Sequence, residues 1–191
     1  MRILDKSEFE VYKKLHLGML NKGSLFVYPT DTIYGVGCDA TNGDAIEKIR
    51  ILKKRETQPF SVIAPSIDWI SENCDVPEHG HEWLNKLPGP YTLVFKLKNK
   101  SAVHPNINKE DGNTLGVRIP DHWISDLASE FGKPILTTSP NKHGEMVPTH
   151  PDELDIEFHP EVDFMIYEGR LHNAPSIIVK LTGEEVKFLR K

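Results

Sequence analysis

The chain has 191 residues, 38% of them hydrophobic and 27% charged, enough for one soluble domain with its own core. A net charge of −5 excludes nucleic-acid binding through an all-round basic surface, though a local basic patch stays compatible with it. Two cysteines, Cys38 and Cys74, exclude a disulfide scaffold, and no CxxC pair offers zinc ligands.

In chain order, Ser7–Lys22 is the first expected helix. Phe9, Tyr12, Leu15, Leu17 and Leu20 recur near helical spacing, with Ser7 as cap and Gly23 as stop. Ser24–Tyr28 is an apolar run ended by Pro29 and reads as a buried strand. Asp44–Lys54 is a second helix, with Ala45, Ile46, Ile49 and Leu52 on one face and basic residues at its C-terminal end, where the helix dipole favours them. Phe60–Ala64 reads as a strand, Ser66–Asn73 as a short capped helix, and His81–Leu87 as a helix stopped by Pro88-Gly89-Pro90.

Strands follow at Tyr91–Leu97 and Leu115–Ile119, separated by a weakly patterned excursion over 99–113. Asp121 is placed to cap a helix running to Phe131, with Gly132 ending it. Pro134–Thr138 is a strand, Ser139–Pro148 a polar loop, and Pro151–Glu157 a helical turn or two. Phe164–Tyr167, Ser176–Leu181 and Glu185–Leu189 read as closing strands. Interleaved strands and helices predict an α/β fold, with helices packed on a sheet, in a single domain spanning 1–191. An early acid and no apolar stretch at Met1–Asp5 argue against a secretory signal, and no run approaches the length of a membrane span. No membrane partner and a cytoplasmic location are therefore expected.

Four segments carry candidate chemistry. Pro29–Gly37 follows a strand end, where open α/β sheets bind ligands, but it also fits a tight turn whose Thr and Asp satisfy local backbone. Lys53-Lys54-Arg55, with Lys48 and Arg50, suits phosphate as well as an ordinary basic helix end. Thr137–Asn141 places hydroxyls and an amide after a buried strand, which suits a polar ligand or a capped loop. Arg118 lies inside an apolar strand, where a guanidinium is costly unless it meets a ligand carboxylate or an acid across the sheet. The histidines show no metal-ligand spacing, and no GxSxG elbow is present.

In this order, YPTDTIYGVG at 28–37, Lys53-x-Arg55, LPGPYT at 87–92, GVRIP at 116–120, Thr138-Ser139-x-Asn141 and PSIIV at 175–179 resemble the YrdC-type threonylcarbamoyl-AMP synthase family. The resemblance runs from about Gly23 to Arg190. It implies an open, twisted, mixed sheet with a concave, positively lined ligand cavity. It implies formation of threonylcarbamoyl-adenylate and pyrophosphate from L-threonine, bicarbonate and ATP, with Mg2+ on the phosphates. The product would serve tRNA N6-threonylcarbamoyladenosine modification through a downstream threonylcarbamoyl transferase. Lys53, Arg55, Ser139 and Asn141 match the family's polar tetrad. Thr32, Arg118, Thr137 and Ser176 match threonine-side positions, and Arg55, Thr114, Ser139 and Arg190 match ATP-side positions.

The sequence departs from the family pattern at Ile63, Val147, Ile177 and Lys180, and the additional C-terminal domain of longer relatives is not expected. A paralogue without synthase activity is one competing expectation. An RNA-binding protein gripping tRNA or double-stranded RNA is another; it is opposed by the overall negative charge and by the lack of aromatic platforms among basic residues.

Overall fold

The computed structural model describes residues 1–142 and 144–191. His143, inside the expected polar loop, lies outside the described residues. The chain opens with β1 (Arg2–Leu4), α1 (Lys6–Val11) and α2 (Lys13–Asn21). The single helix expected over Ser7–Lys22 is thus two, broken at Tyr12. Its cap is Asp5 rather than Ser7, because Asp5 and Glu8 form a reciprocal capping box. Then come β2 (Phe26–Tyr28), β3 (Gly35–Gly37), α3 (Gly43–Lys53), β4 (Ser61–Ile63), α4 (Ile67–Asn73), β5 (Cys74–Asp75) and α5 (Glu78–Leu84). The second half holds β6 (Tyr91–Leu97), β7 (Thr114–Arg118), α6 (Ile124–Phe131), β8 (Ile135–Thr137), β9 (Phe164–Ile166), β10 (Ile177–Lys180) and β11 (Lys187–Arg190). Short 3-10 turns stand at Pro105–Ile107 and Pro151–Glu153.

Several expected boundaries hold to within a residue or two. Asn42 caps α3 through Ala45 N–H, and Ser66 caps α4 through Trp69 N–H. Gly132 ends α6 with φ 70, a conformation glycine adopts without a Cβ clash. Asp121 does not cap that helix. Trp123 stands at the cap position, and the Asp121 N–H donates instead to the Asp31 carboxylate at 3.1 Å.

The strands form two mixed sheets, ordered β1-β9-β2-β3 and β11-β10-β6-β7-β4-β8, with β5 added beside β6. Parallel pairs (β1 with β9, β2 with β9, β10 with β6, β4 with β7) are mixed with antiparallel ones such as β2 with β3 and β6 with β7. The sheets meet edge to edge through bridges from Val36 to Thr138 and from Asp39 to Ile135, giving one open mixed surface. Two glycines allow the close packing here, Gly37 at the seam and Gly35 within the β2–β3 pair. A Cβ on Gly37 would strike the Leu136 carbonyl of β8, and one on Gly35 would meet the Tyr28 ring at 2.9 Å.

Alternation along the strands divides the core between the two faces. Leu25, Val27, Val62 and Leu136 join Ile46 and Ile49 of α3 in the larger cluster. Phe26, Tyr28, Ile63 and Ile135 join Phe9, Leu20, Ile124 and Leu127 from α1, α2 and α6 in the smaller. Among the described residues no helix is long and apolar enough to cross a membrane.

Candidate functional site

The cavity opens where the seam between the sheets meets the strand ends. Its volume is about 190 Å³, and its wall includes Thr30, Tyr34, Arg55, Phe60, Thr92, Arg118, Thr137, Ser139, Ser176 and Arg190. Three arginines line it and no carboxylate does.

Arg55 reaches the cavity, with Lys53 just behind the wall, because α3 ends there. Lys54 adopts the left-handed conformation, φ 51, and turns the chain out of the helix between them. Lys53 is 2% exposed, and its ammonium donates to Ser139 O at 2.6 Å, Asn141 Oδ1 at 3.1 Å and Ser139 Oγ at 3.3 Å. The Ser139 hydroxyl donates to Asn141 Oδ1 at 2.5 Å, and Asn141 Nδ2 donates to Glu145 O at 2.6 Å. Burial first, and the Arg55 charge second, push the Lys53 pKa down to about 7. Lys53 and Asn141 therefore stand behind Ser139 as its support, and Ser139 faces the cavity. If the Ser139 hydroxyl turns toward a ligand, Asn141 Oδ1 is still held by Lys53.

Arg55 is loosely held by comparison. Its Nη1 and Nη2 lie 3.5 Å from Thr138 Oγ1 and Pro59 O, and its buried Nε has no partner. Burial lowers its pKa without removing its charge at neutral pH.

Arg118 closes the opposite wall from the end of β7. Its Nη2 donates to Asp31 Oδ1 at 2.5 Å, and both terminal nitrogens reach Thr32 Oγ1 at 3.3 Å. The acid expected beside this strand arginine is Asp31, which comes from the turn between β2 and β3 and not from a strand across the sheet; the buried Nε has no acceptor among the described residues. Thr30 Oγ1 lies 3.0 Å from Thr32 Oγ1 and fixes the turn that carries Asp31.

At the third wall, Arg190 donates from Nε to Ser176 O at 2.8 Å and from Nη2 to Ser176 Oγ at 3.0 Å. Ser176 Oγ also lies 2.9 Å from Thr92 Oγ1. Both unpartnered Nε atoms are shut off from the cavity, so an anion entering it would meet the terminal guanidinium nitrogens, of which those of Arg55 have only long contacts within the chain.

The structure brings Arg55, Arg118, Thr137, Ser139, Ser176 and Arg190 into the wall, with Thr32, Lys53 and Asn141 immediately behind. It does not bring Thr114 there. Thr114 begins β7 and Arg118 ends it, so about 13 Å of strand separates them at roughly 3.3 Å per residue. Its hydroxyl is taken up by Asp111, at 3.2 and 3.3 Å. Asp31 and Thr92 were missed as individual residues, although each sits inside a motif already singled out. Among the described residues no three His, Cys, Asp or Glu side chains stand together as metal ligands. The arginine-lined wall does not fit a magnesium ion held by the protein.

Residues 18–191 match the family of Sua5, YciO and YrdC, described as telomere recombination. The putative threonylcarbamoyl-AMP synthase of Methanocaldococcus jannaschii is 33% identical, over 88% of this chain and 80% of that protein. The uncharacterized protein YciO of Escherichia coli is 29% identical, over 91% of this chain and 85% of that protein. Among solved structures, P. abyssi Sua5 complexed with L-threonine superposes with a TM-score of 0.85 at 26% identity, covering 99% of this chain and 56% of that one. The chain thus spans little more than half of that Sua5. The match over nearly its whole length shows that the chain belongs to the Sua5/YciO/YrdC family.

Proposed function

We propose that this chain is a nucleotidyltransferase that joins L-threonine, bicarbonate and ATP into threonylcarbamoyl-AMP and pyrophosphate, for tRNA modification. One observation carries the reading. Among the described residues three arginines surround a cavity without a lining carboxylate, and the terminal nitrogens of Arg55 have only 3.5 Å contacts within the chain. Threonine carboxylate, carbamate and triphosphate are all anionic, and such a wall binds them together. The M. jannaschii relative's name and the threonine complex of P. abyssi Sua5 support the same chemistry.

The threonine amine and bicarbonate condense to the N-carboxylate with loss of water. One carbamate oxygen then forms a bond to the α-phosphorus of ATP, and the bond from that phosphorus to the β-phosphate bridging oxygen breaks. Pyrophosphate leaves with the electron pair. The protein's part is to align the two anions and meet the charge that gathers on the phosphoryl oxygens. Arg118, braced by Asp31 and Thr32, takes the threonine side, with Thr137 and Ser176 beside it. Arg55, Ser139 and Arg190 take the phosphates. Lys53 holds Ser139 and Asn141 in place. No carboxylate lines the cavity to hold magnesium, so no step is assigned to it beyond its arrival on ATP as part of the substrate.

The test is an incubation of the purified chain with ATP, magnesium, bicarbonate and labelled L-threonine. Threonylcarbamoyl-AMP with matching pyrophosphate is expected, and it should disappear without bicarbonate or with serine in place of threonine. A folded, ATP-binding protein that makes no product would instead favour a second reading, a paralogue of YciO type. Its support is coverage: E. coli YciO superposes over 100% of this chain and 93% of its own, at a TM-score of 0.84.

A further inference from the structure

Arg50 stands on the last turn of α3 and is 2% exposed, as deeply buried as Lys53. A buried guanidinium ordinarily needs a carboxylate. Among the described residues Arg50 has no salt-bridge partner. It donates only to backbone carbonyls: Asn106 O at 2.6 and 2.9 Å, Ile107 O at 3.2 Å, and Arg55 O and Gln58 O at 3.1 Å each. One planar fork therefore ties the 3-10 turn at Pro105–Ile107 to the loop over 55–58.

That loop carries Arg55. Arg55's own side-chain bonds are long, so its position is set by its backbone and by the Phe60 ring. Arg50 controls both. Its Cζ lies 4.5 Å from the Phe60 centroid, and Arg55 Cζ lies 5.2 Å from the same centroid. Phe60 N–H in turn donates to Ile107 O at 2.9 Å, the carbonyl that Arg50 also holds.

We infer that Arg50 is the positioning residue for Arg55: it clamps the 55–58 loop so that the Arg55 guanidinium projects into the cavity before ligand arrives. Arg50 touches no substrate. The assignment rests on the phosphate role proposed for Arg55 and deepens it. Only a fork with donors on two edges holds both segments, and a lysine at this position holds one at most.

The experiment is a double-mutant cycle on the full chain, read by calorimetric binding of ATP and, separately, of L-threonine. Arg50→Met is expected to weaken ATP binding about tenfold or more while leaving threonine affinity within twofold, because misplacing one contact group by about an ångström carries penalties of that size. In an Arg55→Ala background the same change is expected to cost nothing further. Arg50→Lys is expected to fall between wild type and Arg50→Met, and it carries the cycle if Arg50→Met does not fold. Equal losses for ATP and threonine, or full additivity with Arg55→Ala, would overturn the assignment. A wild-type protein that binds threonine but not ATP would remove the functional reading beneath it, and that result is visible before any variant is made.

Discussion

Two charged hollows of the molecule differ in how their charge is balanced. The groove between α1 and α6 is lined by Lys6, Glu10, Lys13, Asp126 and Glu130, and its central cation is neutralised within the chain. Lys13 reaches Glu10 at 2.7 Å and Glu130 at 2.9 Å. The cavity at the sheet seam gathers Arg55, Arg118 and Arg190 with only Asp31, behind Arg118, as an answering acid. Burial lowers the pKa of all three arginines. Like charges gathered on one wall raise the energy of the empty protein. That energy is recovered when an anion enters. The groove needs no ligand to balance its charge, and the cavity does.

The sharpest way to break this comparison is at Arg55. Arg55→Ala is expected to lower kcat/KM about 100- to 1,000-fold, the size seen when one preorganised charge-stabilising donor is removed, without lowering the melting temperature. Steady-state kinetics and thermal unfolding read both. A loss below tenfold would make the cavity no more than a polar hollow.

Lys53→Met comes next, with an expected loss of about 10- to 100-fold as Ser139 and Asn141 lose their common anchor. This variant also has a pH signature. In the folded chain Lys53 titrates near 7, and its ordinary value is 10.5. The unfolded chain therefore binds more protons between those values, and wild-type stability rises with pH across that window. Lys53→Met should lack this rise. Urea unfolding of both proteins at several pH values from 7 to 10 measures the difference, and parallel curves would contradict the burial of a charged Lys53.

Asp31→Asn frees Arg118 from its partner. An increase of about tenfold in KM for threonine is expected, with a stability cost of about 3 kcal/mol for stranding a buried charge. Unchanged KM would place Arg118 outside the threonine site. The smallest effect belongs to the balanced groove. Lys13→Ala should cost less than about 1 kcal/mol and leave turnover within twofold, as exposed pairs generally do.

How much of this was legible in the sequence depended on the reach of the signal. The α3 helix and the β6 strand follow from periodic apolar residues, and both appear nearly as expected. The β3 strand escaped because Gly-Val-Gly carries no alternation; its strand geometry comes from pairing with Tyr28 and from the close approach of β8. The break at Tyr12 escaped because apolar spacing continues across it and leaves Val11 and Leu15 exposed, 74% and 60%.

At the site, the partners of Lys53 lie 86 and 88 positions away and that of Arg118 lies 87 away, so no local pattern reports those contacts. The ordered motifs bring Lys53, Ser139 and Asn141 into contact because they encode a shared fold. Thr114 lies outside this cavity wall, and its hydroxyl serves the Asp111 turn. Arg50 read as one more cation at a helix end, since nothing local distinguishes an arginine facing water from one facing five carbonyl bonds.

The most direct measurement is a calorimetric titration of ATP into the wild-type chain and into Arg55→Ala, with L-threonine and bicarbonate present. A cavity built to receive anions predicts saturable binding to the wild type and at least tenfold weaker binding to the variant. Equal affinity in the two proteins, or no binding to either, would contradict it.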